Sequence, residues 1–313
     1  MRALVTGAAG FIGANLVAHL LANGEAVVAV VRPGDDAWRL DPVRGDTEII
    51  ECDLGDPDAA KRAAVAERPE VIFHLAAHGA YSWQHSLDLM VAVNLRCTQA
   101  LLEAAALLGA TVVNAGSSSE YGYKDHPPRE DEAVRPNSHY AVTKLAATHL
   151  CQLAADTHGV HATTLRLYSV YGPWEEPGRL MPTLVRAARA GHWPALADPG
   201  IARDYVWVHD ACEAFLAAAR ARSTEPGAVF NVASGVQTTL GEVVAAAAEV
   251  FGVDAAPVWG GMEPRAWDTS VWVGDPARAQ SELGWRATTS LTQGLEETGA
   301  WFERHPEHDA RYR

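Results

Sequence analysis

Residues 1–13 read Met-Arg-Ala-Leu-Val-Thr-Gly-Ala-Ala-Gly-Phe-Ile-Gly, and no other stretch constrains the fold as much. Ala3, Leu4 and Val5 form a short apolar run that predicts a strand. Gly7, Gly10 and Gly13 follow at G-x-x-G-x-x-G spacing, with Phe11 and Ile12 inside the same turn. From Ala14 to Asn23 the pattern is helical, with Leu16, Leu20 and Leu21 on one face. Strand, glycine turn and helix is the context a dinucleotide fingerprint requires. Gly7 permits the tight turn, Gly10 lets a pyrophosphate approach the backbone, and Gly13 lets the helix pack close to the strand. The helix N-terminus then offers free N–H groups and the positive end of its dipole to the phosphates. Glycines alone mark only a turn; the flanking strand and helix make these specific.

Strand and helix signals alternate through the first half. Strands are expected at Ala26–Val31, Glu48–Cys52, Val71–Leu75, Thr111–Ala115 and His161–Leu167, and helices at Pro57–Glu67, Leu87–Leu108 and Tyr140–Thr157. Such alternation predicts an α/β fold, a doubly wound parallel sheet of Rossmann type. After Tyr171-Gly172-Pro173 the pattern loosens. Helices are expected at Leu180–Ala190, Asp210–Arg222 and Leu240–Phe251, a strand at Val229–Val232, and a loop then an edge-like strand over Gly260–Val273. The expected division is a nucleotide-binding domain over 1–172 and a smaller, mixed substrate-binding domain over 173–313. Some segments of the second part return to the first sheet.

The net charge of −14 argues against a general nucleic-acid surface, which needs excess Lys and Arg. A few local arginines would still hold a small anion. Cys52, Cys97, Cys151 and Cys212 lie far apart with no C-x-x-C pair, so neither a zinc site nor a disulfide framework is indicated. His74 and His78 straddle a strand end without a third ligand, and no metal site is read there. The chain opens directly on a strand and no apolar run reaches 18 residues. The expectation is a cytoplasmic protein without membrane contact.

The end of the second strand bears on the choice of dinucleotide. An acid there binds the ribose 2′-OH of NAD, whereas an Arg accommodates the 2′-phosphate of NADP. Here Val31 stands at the acid's place and Arg32 follows, so NADP(H) is favoured over NAD. A solvated surface role for Arg32 is the alternative. Asp53-Leu54 closes the third strand, where a carboxylate can accept from the adenine amino group.

Tyr140 and Lys144 stand at i and i+4 near a helix start, on one face. A phenol with a pKa of about 10 carries protons poorly at neutral pH. A fixed ammonium nearby favours phenolate, and a shift of about three units takes roughly 4 kcal/mol. Lys144 can also hydrogen-bond the nicotinamide ribose. Upstream, Ser117-Ser118-Ser119 follows a strand and offers a hydroxyl to share the substrate oxygen.

Together, Thr-Gly-Ala-Ala-Gly-Phe-Ile-Gly, His74-Leu75-Ala76-Ala77, Ser-Ser-Ser-Glu-Tyr-Gly, Tyr140-x-x-x-Lys144 and Arg203-Asp204-Tyr205 resemble the extended short-chain dehydrogenase/reductase superfamily. Within it the chain resembles the NAD(P)-dependent nucleotide-sugar epimerase/dehydratase group, over nearly its whole length. The resemblance implies Tyr140 as acid/base, Lys144 as its electrostatic partner and either Ser117 or Ser118 as the orienting hydroxyl. It implies that Asn94 supports the Tyr/Lys network and that Ala76 and Ala77 pass backbone beside the cofactor. Arg203 and Arg265 match positions that bind the nucleotide-sugar diphosphate, with Arg179 a third candidate. Members commonly form homodimers through paired long helices.

Two departures matter. Dehydratases of this group carry an acid directly or two places after the catalytic hydroxyl. Counted from Ser117 those places are Ser118 and Ser119, whereas one residue of slack would bring in Glu120. An Asn often found after the sixth strand is Ser169, which weakens or remakes one substrate contact. The favoured expectation is hydride transfer at C4 of a nucleotide-activated hexose by an NADPH-dependent 4-ketoreductase. The close alternative is a 4-epimerase with retained NAD(P). A 4,6-dehydratase and a non-catalytic NADP sensor fit less well, the latter because a sensor needs no proton relay.

Overall fold

In a computed structural model that describes residues 1–81, 83–221, 224–262 and 268–312, ten strands form two sheets. The larger holds β1 (Arg2–Thr6), β2 (Ala26–Val31), β3 (Glu48–Glu51), β4 (Val71–His74), β5 (Thr111–Ser117) and β6 (Ala162–Leu167). The smaller holds β7 (Ser169–Tyr171) and β8 (Ala202–Trp207); β9 (Val229–Val232) then returns to the larger sheet, and β10 (Gln237–Thr239) joins the smaller. The large sheet is wholly parallel in the order β3-β2-β1-β4-β5-β6-β9. Strands buried on both faces read as continuous apolar runs, as Val27–Val31 does.

Helices cover both faces. On one, α1 (Phe11–Ala22) packs beside α7 (Val208–Arg220), burying Leu16, Val17, Leu20, Phe215 and Leu216 over Val5, Phe73 and Leu165. On the other lie α2 (Pro57–Glu67), α3 (Leu87–Met90), α4 (Cys97–Leu108) and α5 (His139–His158). A π-helical turn over Val91–Arg96 joins α3 to α4, so 87–108 is one helical run. That run is long and apolar enough to cross a membrane, and it packs on α2 and α5. A third cluster joins α6 (Leu180–Arg189), α8 (Leu240–Phe251) and α9 (Leu291–Arg304) around Leu184, Val243, Leu295 and Phe302.

Two readings of the second half change. Ala202–Trp207, between the two helices expected at Leu180–Ala190 and Asp210–Arg222 where no element was expected, is the central strand of the small sheet. The edge-like strand expected before Val273 is absent among the described residues. The buried Asp204 carboxylate instead ties this region down, accepting from the backbone N–H groups of Ser234, Gly235 and Gly274. Side-chain anchoring replaces a ladder there.

Candidate active site

The order β2-β1-β4 places the crevice of the sheet at the carboxyl ends of β1 and β4, where the chain direction of winding reverses. Gly7 sits at φ 69° just beyond β1, and a Cβ there would come within 2.7 Å of the Ala76 backbone nitrogen. A Cβ on Gly13 would fall 2.1 Å from the Gly7 carbonyl oxygen. These two glycines let strand, helix and the segment after β4 meet backbone to backbone. Gly10 N-caps α1 without a side chain, which leaves the helix N-terminus, with Phe11 and Ile12 in its first turn, accessible to phosphate. The residues present therefore fit a dinucleotide.

Ala76 is held by a chain of buried hydrogen bonds. The Thr98 hydroxyl donates to the Asn94 carbonyl at 2.7 Å, so it accepts from His74 Nε2–H at 3.0 Å. His74 Nδ1 is then the acceptor for the Thr6 hydroxyl at 2.8 Å, and Thr6 oxygen takes the Ala76 N–H at 3.3 Å. Both ring nitrogens are occupied, which removes His74 as a metal ligand. Burial, with Lys144 adding to it, pushes the His74 pKa down to about 3, so the ring is neutral.

Arg32 follows β2 with its side chain 77% exposed and one guanidinium nitrogen 3.7 Å from Asp35. Its charge reaches His78, beyond β4, adding to the burial that lowers the pKa of that ring. Asp53 turns its Oδ1 to the Gly55 N–H at 2.9 Å, and Leu54 packs at the edge of the core under α2. Ala77 is half-buried.

Asn94 is buried inside the π-helical turn. It accepts from the His78 N–H at 2.7 Å and donates to the His78 carbonyl at 2.8 Å and to Thr143 Oγ1 at 2.9 Å. Thr143 passes its own proton to the Tyr140 carbonyl at 2.9 Å. Asn94 thus ties the segment after β4 to the first turn of α5, which Ser138 N-caps. The helices expected from the sequence at Leu87–Leu108 and Tyr140–Thr157 gave no sign of the role of Thr143 or of the π turn.

Ser117, the last residue of β5, acts on the Tyr140 phenol, drawing its pKa down against burial. Its hydroxyl also lies 2.7 Å from that of Ser119. Ser118 is buried on another side, lining a small recess with Tyr121, Lys124 and Trp272. Of the two serines that the sequence left open, Ser117 is the one that acts on the Tyr140 phenol, while Ser118 faces the recess. Glu120 is fully buried beneath them. Its Oε1 accepts the Ser117 N–H at 2.8 Å, and its Oε2 accepts from Thr148 at 2.9 Å and from Arg166 Nε at 2.9 Å. Three of its acceptor positions are thus taken by groups of this chain.

The electrostatics differ from the expected phenolate. Burial pushes the Tyr140 phenol up to about 12, and Ser117 only partly opposes this. Lys144 is buried and lowered by that burial, with Glu120 working the other way. Loss of solvation outweighs the Ser117 and Arg179 contributions that favour ionisation, so the phenol holds its proton in the free protein.

Across the cleft, Ser169 opens β7, pairs with Tyr205 of β8 and is half-buried. Arg179 N-caps α6, 3.8 Å from Glu175, and its charge reaches Tyr81, Tyr140 and Tyr205. Arg203 donates to the Ala202 carbonyl at 2.7 Å, lies 3.7 Å from Asp268 and covers the Trp272 ring. Arg265 and Trp267 lie outside the described residues. Of the other tryptophans in this region, Trp207 is core and Trp193 donates to the Ala255 carbonyl. Sequence reading missed Arg39, which is buried on a 3-10 turn after β2. It donates to the Ala9 carbonyl of the glycine turn at 3.4 Å and to the Trp174 carbonyl at 2.8 Å.

The sequence model of the NAD dependent epimerase/dehydratase family matches residues 3–233. The chain belongs to this family. It is an extended short-chain dehydrogenase/reductase, as its motifs implied. It is 34% identical to the UDP-glucose 4-epimerase of Mycolicibacterium smegmatis over 96% of this chain and 98% of that one. It is 33% identical to a dTDP-glucose 4,6-dehydratase of Streptomyces griseus, over 96% and 94%. Among solved structures, UDP-glucuronic acid 4-epimerase of Bacillus cereus, in complex with UDP-glucuronic acid and NAD, superposes with a TM-score of 0.85. That match has 26% identity and covers 97% of this chain and 99% of the other.

Proposed function

We propose that this enzyme is a nucleotide-hexose 4-epimerase that oxidises C4 and re-reduces it on the opposite face. The observation that carries this reading is the disposition of Glu120. Its carboxylate is committed to Ser117 N–H, Thr148 and Arg166, so it reaches Tyr140 through its charge and not as a free acid, and Ser117 is the β5 residue that acts on the phenol through its hydroxyl. Dehydration needs an acid facing the sugar; C4 oxidation and reduction need one proton carrier and an orienting hydroxyl, and Tyr140 and Ser117 supply them. The epimerases among the family's members support the same choice.

The dinucleotide, held on the glycine turn, supplies the hydride acceptor. Ser117 holds the C4 oxygen; Tyr140, protonated in the free protein, must first release its phenol proton to solvent, and as phenolate it takes the C4 hydroxyl proton on oxidation and returns it on reduction. Lys144 lends a buried positive charge to that exchange, and Asn94 fixes the turn of α5 that carries both. Arg203, Arg265 and Arg179 bind the diphosphate, because arginine's planar fork suits phosphate oxygens.

A second reading, an NADPH-dependent 4-ketoreductase, is favoured by Val31 and the exposed Arg32, which lack the acidic NAD clamp and offer a 2′-phosphate partner. One experiment separates the two. UDP-, dTDP-, CDP- and GDP-hexoses are incubated without added cofactor and examined for C4 inversion. In parallel, nucleotide 4-keto-6-deoxy sugars are given with NADPH. Inversion without net cofactor loss is expected; stoichiometric NADPH loss without inversion overturns the epimerase reading.

A further inference from the structure

The turn after β7 carries three consecutive carbonyls, those of Pro173, Trp174 and Glu175, and each accepts from a side chain far away in sequence. Asn15 of α1 donates to Pro173 at 2.9 Å, Arg39 Nε to Trp174 at 2.8 Å and the Tyr312 hydroxyl to Glu175 at 2.9 Å, across 158, 135 and 137 residues. All three donor residues are buried. Trp174 itself sits at φ 66°. A bulky residue holds that left-handed conformation only where its surroundings over-determine it, and the three bonds do so. The Trp174 ring packs against both the core under α1 and α7 and the cluster of α6, α8 and α9, so this turn is a joint between them.

Two of the three side chains use further donors to hold the glycine turn. Arg39 Nη1 reaches the Ala9 carbonyl at 3.4 Å, and Asn15 Nδ2 also donates to the Phe11 carbonyl at 3.0 Å. A peptide group is planar, so fixing its C=O fixes the N–H of the next residue. The Ala9 carbonyl shares its plane with the Gly10 N–H, which closes the turn on the Gly7 carbonyl at 3.0 Å. The Phe11 carbonyl shares its plane with the Ile12 N–H, one of the first donors of α1, which have no partner within the helix and suit a phosphate.

The chain end backs this arrangement. Pro306–Tyr312 forms a 3-10 turn, and Tyr312 packs edge-on to Trp38 with 6.4 Å between ring centres. The Arg39 guanidinium lies 4.6 Å from the centre of the same indole, and Arg311 lies 4.8 Å from it while pairing with Asp36 at 2.7 Å. Trp38 therefore links the chain end to Arg39.

We propose that Arg39 and Asn15 are positioning residues for the dinucleotide, acting through the carbonyls of the glycine turn, and that Tyr312 acts on the same site at one remove, through the 173–175 turn. Donors that are already aimed bind the pyrophosphate more tightly, because none of the binding energy is lost in ordering them. These roles rest on the dinucleotide site and hold for an epimerase and a ketoreductase alike.

The test is fluorescence titration with NADH and NADPH, after any retained dinucleotide has been removed, with a thermal melt to show that each variant is folded. Arg39→Met and Asn15→Leu should each weaken the tighter of the two dinucleotides about tenfold, and Tyr312→Phe, which loses one hydroxyl remote from the glycine turn, about threefold. Arg39→Lys keeps the charge and loses the bridge, so it should bind no better than about threefold more tightly than Arg39→Met. Adding Tyr312→Phe to Arg39→Met should cost less than about a further twofold, since the path from the chain end is already cut. An unaltered Kd in folded Arg39→Met or in Tyr312→Phe overturns the proposal, as do full rescue by Arg39→Lys and multiplying losses in the double variant. Tyr312→Phe decides the matter where the buried variants fail to fold. If the unaltered protein binds neither dinucleotide, the site itself is refuted and the proposal with it; dinucleotide binding without C4 inversion refutes the epimerase reading alone.

Discussion

Ser117, at the end of a central strand, acts on the phenol of Tyr140 in the first turn of a helix and draws its pKa down against burial. The pair defines one oxygen-binding point, and burial keeps the phenol protonated there. Tyr140→Phe should lower kcat by about 10²–10⁴-fold while KM changes little, because a proton carrier is lost and packing is kept. Ser117→Ala should act in the same direction by a smaller factor. Steady-state kinetics check both; near-normal turnover of Tyr140→Phe would exclude it as the acid/base.

Below this pair, Glu120 and Arg166 form a buried ion pair, 0% and 4% exposed at the side chain. Removing one partner strands the other charge. Arg166→Met should destabilise the protein by about 3–5 kcal/mol. Adding Glu120→Gln should recover part of that loss, since the orphaned charge is gone. Urea unfolding of the two single variants and the double one measures the coupling. Additive losses would mean that the pair contributes nothing as a pair.

The parallel sheet was legible because its strands are apolar on both faces and its turns carry glycine where backbones touch. Gly7, Gly13, Tyr140 and Lys144 could be found for the same reason: spacing along one strand or helix states their geometry. Ser117 and Ser118 could not be separated, because the choice depends on where β5 ends, and the strand runs two residues past the apolar run, to Ser117. The phenolate expectation failed for a different reason. The i, i+4 spacing puts Lys144 on the same helix face as Tyr140, but the burial that raises the phenol's pKa is a property of the assembled fold. Arg39 was missed because it comes from a loop whose meeting with the glycine turn no local pattern encodes.

His74 makes acid stability predictable in sign. Its folded pKa lies at about 3, below the ordinary histidine value, so the unfolded chain takes up the proton first as pH falls. The neutral ring's contribution is full above about pH 6.5 and is lost as pH drops toward 3. Through this residue alone, stability should fall by about 1.4 kcal/mol per pH unit between roughly pH 6 and 4. His74→Gln cannot take up that proton and should show a shallower slope in the same range. Equal slopes in the two proteins would show that His74 is protonated without unfolding.

Arg32 gives the dinucleotide preference a direct test. Its guanidinium stands exposed beyond β2 and its charge is felt at His78 across the crevice. NADP(H) should bind about tenfold more tightly than NAD(H), and Arg32→Ala should erase most of that difference while leaving NAD(H) affinity nearly unchanged. Fluorescence titration with both reduced dinucleotides measures it. An NADH preference in the unaltered protein would refute the 2′-phosphate role and remove the support for the ketoreductase reading.

The last prediction concerns assembly. Leu87 and Leu89 of α3, Leu107 of α4, and Val142 and Leu153 of α5 are large apolar side chains left 45%, 47%, 70%, 51% and 55% exposed on neighbouring helices. They lie on helices that pack side by side, α5 touching both α3 and α4. Pairing these helices with the same helices of a second copy would bury those side chains in an isologous interface, the commonest arrangement for soluble oligomers. The protein should therefore run as a homodimer in light scattering at micromolar concentration. Leu153→Glu together with Val142→Glu should shift it to monomer, because two carboxylates per chain would otherwise be buried unpaired. A monomer mass for the unaltered protein, or an intact dimer in the double variant, would place the interface elsewhere or abolish it.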